Sequence, residues 1–168
     1  LDKEVEQHFL RYRKVLQYAL YQGKGADAYY NDFPTRKRRH VYAFTSSAHR
    51  FIHEHGFSDK QKTAFLSLGC GNMARELRSL TLAHRLGRLS SCYGIDLSYH
   101  MLELAQKNLQ KKKFSTEFIQ GQLTSLPFIE MLQKTTLDSE HRIYSLLGGT
   151  FGNLEQDYFA DILSGLLL

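Results

Sequence analysis

Only two cysteines stand among the 168 residues, too few for a disulfide framework. Cys70 sits in a glycine turn and Cys92 in an expected core strand, so a reducing, cytoplasmic setting is the simplest expectation. No apolar run approaches the roughly 20 residues that a membrane helix needs, so no spanning segment is expected. No signal peptide can be read, although the chain opens on Leu1 rather than Met, as a trimmed or processed chain would. Internal repeats and low-complexity tracts are missing, which excludes arrays and solenoids. A nucleophile-elbow motif is also missing, which removes the main sequence support for serine hydrolysis.

What is present suits one folded domain. Hydrophobic residues make up 42% of the chain and aromatic ones 12%, enough to build a core rather than a disordered tail. The net charge of +5 would suit a polyanionic partner. Much of the excess sits in Arg36-Lys37-Arg38-Arg39 and Lys111-Lys112-Lys113. The second cluster ends an expected helix, where cations offset the helix dipole. The first opens a helix, a less favourable place, and remains a candidate patch. With no RNA-binding signature or zinc-finger spacing, a nucleic-acid partner is not expected.

Periodicity divides the chain in two. Val5, Phe9, Tyr12, Leu16 and Ala19 recur at helical intervals between Asp2 and Tyr21, and Gly23 and Gly25 break that pattern. After the turn at Asn31 to Pro34, Val41, Phe44, Ala48, Phe51 and Ile52 mark a second helix, ended near Gly56. These helices are expected to form an amino-terminal lid over residues 1–60. From 61 to 168 the pattern alternates: strand 65–69, helix 73–86, strand 92–96, helix 98–110, strand 116–120, helix near 128–135, strand 142–147 and helix 155–167. Such alternation predicts an α/β, Rossmann-like, mostly parallel sheet.

The most specific segment lies between Phe65 and Asn108. The apolar run Ala64, Phe65, Leu66, Leu68 reads as a buried parallel strand ending at Gly69-Cys70-Gly71. Missing side chains there let the backbone turn into a helix and approach a ligand closely. The next strand ends in Asp96, where a carboxylate can accept from both hydroxyls of a ribose. Together these predict a nucleoside-cofactor site. Gly69-x-Gly71-x-x-Ala74 also satisfies the dinucleotide fingerprint, so an NAD-binding Rossmann protein is an alternative.

Leu68-Gly69-Cys70-Gly71, followed by Gly94-Ile95-Asp96-Leu97-Ser98 with Met101-Leu102 and Ala105, resembles motifs I and II of class I S-adenosylmethionine-dependent methyltransferases. Two positions depart from that pattern: Ser67 stands where an acidic residue often precedes the loop, and Met73 where a third glycine is frequent. The resemblance implies S-adenosylmethionine as cofactor and a methyltransferase, with Gly69 and Gly71 admitting the methionine portion, Asp96 holding the ribose, and Cys70 and Leu97 among the cofactor-binding residues. Met101 and Leu123 would pack near the adenine, Gln122 would accept from its amino group, and Gly148 would admit the donor after the fourth strand. No catalytic base is identifiable; methyl transfer asks mainly for alignment, and neither Glu155 nor Asp157 can be given that task.

The segment Leu147-Gly148-Gly149-Thr150-Phe151-Gly152-Asn153-Leu154-Glu155 is similar to one in the histidine Nα-methyltransferases of ergothioneine biosynthesis, as are Tyr29-Tyr30 and Thr35-Arg36. That similarity implies a small-molecule acceptor of the amino-acid kind, held by Asn153, Tyr29 and Tyr30. Read locally, Asn153 is in the first place a cap for the last expected helix. Four expected strands fall short of the seven of a complete class I domain. The expectation is therefore a carboxyl-terminally incomplete domain, continued in a longer protein or completed by another subunit. The apolar Ile162-Leu163 and Leu166-Leu167-Leu168 point to a homo-oligomer. A non-catalytic cofactor-binding subunit is the alternative function. His49, His53 and His55 include a spacing compatible with zinc but lack an accompanying cysteine or HExxH glutamate, and no metal is expected.

Overall fold

The computed structural model describes residues 50, 54–55, 63–123, 125–136, 139, 141–146 and 156–167. The two expected amino-terminal helices fall almost wholly outside the described residues, as do Tyr29, Tyr30, Gly148 and Asn153.

The apolar run forms β1 (Thr63–Leu68), in which all six residues are buried. A strand covered on both faces has to be apolar throughout, which is why it reads as a run and not as an alternation. β2 (Leu89–Asp96) pairs parallel with one side of β1 and β4 (His141–Ser145) with the other. β3 (Glu117–Gln120) pairs parallel with β2, giving a four-stranded sheet in the order β3-β2-β1-β4. The chain steps outward from β1 to β3 and then crosses to the far side of β1. The strand order therefore reverses between β1 and β4, and the crevice expected at such a reversal lies at their carboxyl ends.

Alternate residues of β1 separate two cores. Phe65 and Cys92 pack with Leu80 and Ala83 of α1 (Leu77–Arg85) and with Leu102, Ala105 and Leu109 of α2 (Tyr99–Leu109). On the other face, Ala64, Leu66, Leu68 and Ile95 pack with Ile129 and Leu132 of α3 (Leu126–Thr135) and with Ile162 and Leu166 of α4 (Gln156–Leu167). Gln133 of α3 also donates to the Gly165 carbonyl of α4, tying these helices together. Fully burying a side chain such as Phe65 or Leu66 stabilises the fold by about 1.5–3 kcal/mol.

The expected α/β alternation is present, with shifted boundaries. β2 starts at Leu89 rather than 92 because Leu89 and Ser91 pair with Thr63 and Ala64, across a register irregularity. The helix expected from 73 starts only at Leu77. Met73 has φ +54°, a left-handed conformation that no α-helix admits, so the chain makes turns until Glu76. α2 begins where Ser98 accepts from the Met101 amide at 3.3 Å, a side-chain cap. Lys111, Lys112 and Lys113 are exposed beyond its end, where they offset the dipole. Among the described residues no helix is long and apolar enough to cross a membrane.

Candidate functional site

The turn after β1 is fixed by long-range bonds rather than by its own residues. The Cys70 amide donates to the Ile95 carbonyl at 2.8 Å, continuing the β1–β2 ladder one step past the strand. The Gly71 amide donates to Oδ2 of Asp96 at 2.8 Å. From α2, Asn108 Nδ2 donates to the Asn72 carbonyl at 2.9 Å. Gly69 and Gly71 both take positive φ, +64° and +52°, and nothing lies within 4 Å of where a Gly71 Cβ would stand. The turn thus presents bare backbone to open space at the carboxyl end of the central strand.

Asp96 stands at the end of β2, half-buried, with Oδ1 accepting from the Ser98 amide at 2.9 Å. Each carboxylate oxygen has a second lone pair, so the group can still accept from two hydroxyls. Burial pushes its carboxyl up from the ordinary range, and the amides of Ser98, Gly71 and Leu97 pull it back by bonding the charged form. Gln120, the register partner of Asp96, donates from Nε2 to the Leu97 carbonyl at 3.0 Å and holds the next turn in place.

Residues 59–143 match the family model described as a methyltransferase domain. The chain belongs to that family. Membership implies S-adenosylmethionine as the cofactor, and the methyltransferase domain here is of the class I, Rossmann-like kind. No curated protein matches the chain. Three solved structures are similar to it over part of their length. One comes from work on the conversion of a disulfide bond into a thioacetal group during echinomycin biosynthesis, with 20% identity, 71% of this chain and 43% of that chain covered, and a TM-score of 0.46. Another is an S-adenosylmethionine-dependent methyltransferase from Clostridium acetobutylicum, with 16% identity, 57% and 38% covered, and a TM-score of 0.39. A third is the YcgJ protein from Bacillus subtilis, with 28% identity, 40% and 27% covered, and a TM-score of 0.32. The chain spans less than half the length of each of these structures.

The methyltransferase domain brings Gly69, Cys70, Gly71, Asp96 and Leu97 together at the carboxyl ends of β1 and β2. Leu97 is 39% exposed, so an apolar side chain sits beside the Asp96 carboxylate and open to a ligand. Met101 is 5% exposed on the first turn of α2. Leu123 is 8% exposed and packs with Tyr93, Ile95 and Ile129, while Gln122 beside it is exposed. Of the histidines, His55 is exposed beside Glu54 at 3.9 Å; His49 and His53 lie outside the described residues.

The residues present fit a nucleoside cofactor carrying an amino-acid tail. Asp96 keeps acceptor capacity, the space over Gly71 is open, and Asn72 Nδ2 is buried without a hydrogen-bond partner among the described residues. The two departures from the family pattern have structural explanations. Met73 keeps the left-handed backbone a glycine would take easily, and its thioether lies 2.9 Å from where a Gly94 Cβ would stand. Only a glycine on β2 leaves room for that buried side chain. Ser67 donates to Oε1 of Glu76 at 2.8 Å, so a carboxyl group reaches the position from the following turn.

Glu76 and Asn108 escaped the sequence reading. Glu76 continues the buried positions Ser79, Leu80 and Ala83 backward at helical spacing, a polar residue in line with an apolar stripe. Asn108 follows Ala105 by three residues and borders the buried stripe of α2. Those placements were the available signal.

Proposed function

We propose that this methyltransferase domain holds S-adenosylmethionine at the carboxyl ends of β1 and β2 and transfers its methyl group to a small-molecule acceptor. The observation that carries this is the Asp96 carboxylate, braced by the Gly71 and Ser98 amides yet still able to accept from a ribose. In this reading Gly69, Cys70 and Gly71 line the methionine portion with backbone. Leu97 offers apolar surface to the adenine, Gln122 accepts from its amino group, and Met101 and Leu123, both buried, back the pocket from the core. S-adenosylmethionine supplies a methyl group already activated on a sulfonium.

The chain's own task is therefore alignment and exclusion of water rather than proton transfer. Cys70 is no nucleophile: burial, then the charges of Asp96 and Glu76, push its thiol far up and keep it protonated. Residues 1–60 would form a lid and residues 61–168 the cofactor domain, a division supported by the family match beginning at residue 59. Asn153, Tyr29 and Tyr30 would hold an amino-acid acceptor and Gly148 would adjoin the donor. That part of the reading rests on the sequence resemblance. Free, buried Cys70 and Cys92 suit a reducing cytoplasm. A homo-oligomer is expected from the apolar carboxyl-terminal residues, but Ile162 and Leu166 are used in the domain's own core and do not form an outward surface; ultracentrifugation measures the oligomeric state directly.

Calorimetric titration with S-adenosylhomocysteine, with NAD in parallel, tests the cofactor assignment. Binding of the first alone supports it, and binding of neither or of NAD alone overturns it. Transfer of radiolabelled methyl to histidine or related amino acids then separates an enzyme from a binding subunit.

A further inference from the structure

Leu97 is an apolar side chain held in the open, 39% exposed on the turn after β2. Hydrogen bonds fasten that turn on each side. The Asp96 carboxylate accepts from the Ser98 amide at 2.9 Å and from the Gly71 amide at 2.8 Å. The Asp96 carbonyl accepts from the Gly121 amide at 3.1 Å, and the Leu97 carbonyl from Gln120 Nε2 at 3.0 Å. The last bond falls on Leu97 itself, and it is made by a side chain that the cofactor assignment does not use.

Gln120 makes it from a fixed place. As the register partner of Asp96, it ends β3 directly beside the end of β2. The turn beyond it is braced from the core. The Phe128 ring fills the space that a Gly121 side chain would need and packs against the cluster that holds Leu123 and Ile129. The Gln120 side chain is exposed, so water competes for its amide and for the Leu97 carbonyl, and the bond contributes little to overall stability. Its consequence is local. An apolar side chain open to water gains by turning inward, and a peptide whose carbonyl is held by the next strand resists that rotation.

We infer that Gln120 is a positioning residue: by holding the Leu97 carbonyl it keeps the Leu97 side chain open for the adenine of the cofactor, without touching the cofactor itself. The inference rests on the cofactor assignment above, which sets the adenine against Leu97. A ligand that meets a turn already in its bound shape does not have to order it, and so binds more tightly. The edge strand β3 thereby takes part in cofactor binding through a residue outside the pocket.

Calorimetric titration of the whole chain with S-adenosylhomocysteine, paired with thermal melts, tests this. Gln120→Ala removes the tether, and Gln120→Glu keeps its size but sets an acceptor against the Leu97 carbonyl. Both variants should bind about threefold to tenfold more weakly than the wild type, the worth of one neutral hydrogen bond, while melting close to it. A double-mutant cycle then asks whether Gln120 acts through Leu97. Leu97→Ala should itself weaken binding, and adding Gln120→Ala to it should weaken binding little further, because no side chain remains to be held open. A merely structural glutamine would lower the melt together with the affinity and would add its loss in full to that of Leu97→Ala. Wild-type affinity in Gln120→Ala, or full additivity in the cycle, overturns the inference and leaves the cofactor assignment standing. Should Gln120→Ala fail to fold, Gln120→Glu decides by the same two readings. Absence of binding by the wild type is the separate failure of the cofactor assignment itself.

Discussion

The Gly71 amide donates to the Asp96 carboxylate across 2.8 Å, joining residues 25 apart in sequence. The turn after β1 and the end of β2 are therefore one rigid unit, and the ribose-binding group helps to shape the loop it works beside. The bond also means that losing Asp96 strands a backbone donor as well as removing an acceptor.

Asp96→Ala should weaken S-adenosylhomocysteine binding by about 1.5–3 kcal/mol, roughly tenfold to a hundredfold, since hydrogen bonds to a charged group carry about that much. Asp96→Asn should fall between, because an amide keeps one acceptor oxygen and turns the other position into a donor. Calorimetry on folded variants is the measurement. Unchanged affinity in Asp96→Ala would remove the ribose assignment.

Stability of the unliganded protein should fall as pH rises past neutrality. The Glu76 carboxyl stands at about 7 in the folded protein against 4.5 for an ordinary glutamate. Its contribution is complete below about 4.5 and is lost as pH rises through about 7, because the buried group must then shed its proton or stay uncharged at a cost. The difference corresponds to about 3 kcal/mol at most. Asp96 is shifted in the same direction, also by burial, and adds to the trend. Thermal melts of the wild type should therefore drop between about pH 5 and about pH 8, and those of Glu76→Gln should drop less. Parallel curves for the two proteins would show that Glu76 does not carry the effect.

Gly94→Ala should be markedly destabilising although alanine suits a strand better. A Cβ there would stand 2.9 Å from the Met73 sulfur and 2.9 Å from the Phe118 ring, closer than side chains approach. Overpacking of this kind costs about 1–3 kcal/mol. Pairing the change with Met73→Ala should recover part of the loss, which a double-mutant cycle in denaturant would measure. Full additivity would mean that the two residues do not meet.

Most of the scaffold was legible in the sequence because its causes are local. β1 is apolar throughout because both its faces are covered, and α2 announces itself through Ser98 and the spacing of Met101, Leu102, Ala105 and Leu109. Gly69, Gly71 and Asp96 were legible because few residue types can do what those positions need. The start of α1 was misplaced by four residues because nothing nearby says that Met73 adopts a glycine-like backbone; the space over Gly94 permits it. Glu76 and Asn108 were illegible for a related reason. Their partners lie 9 and 36 residues away, and only the packed sheet brings them together.

Asn108 offers the sharpest separation of loop geometry from stability. Its Nδ2 holds the Asn72 carbonyl at 2.9 Å from the penultimate residue of α2, so it fixes the far side of the loop whose near side is held by Asp96. Asn108→Ala deletes one neutral hydrogen bond at a half-buried position, and the freed carbonyl can turn to water. The stability loss should be small, about 0.5–1.5 kcal/mol. Alanine is also the better helix former, which offsets part of that loss. Cofactor binding should suffer more than stability does, because a loop no longer held in its bound shape must be ordered by the ligand. The expected pattern is a near-normal melt with S-adenosylhomocysteine affinity reduced severalfold. Equal affinity in Asn108→Ala and wild type would mean that the Asp96 and Ile95 bonds alone set the loop.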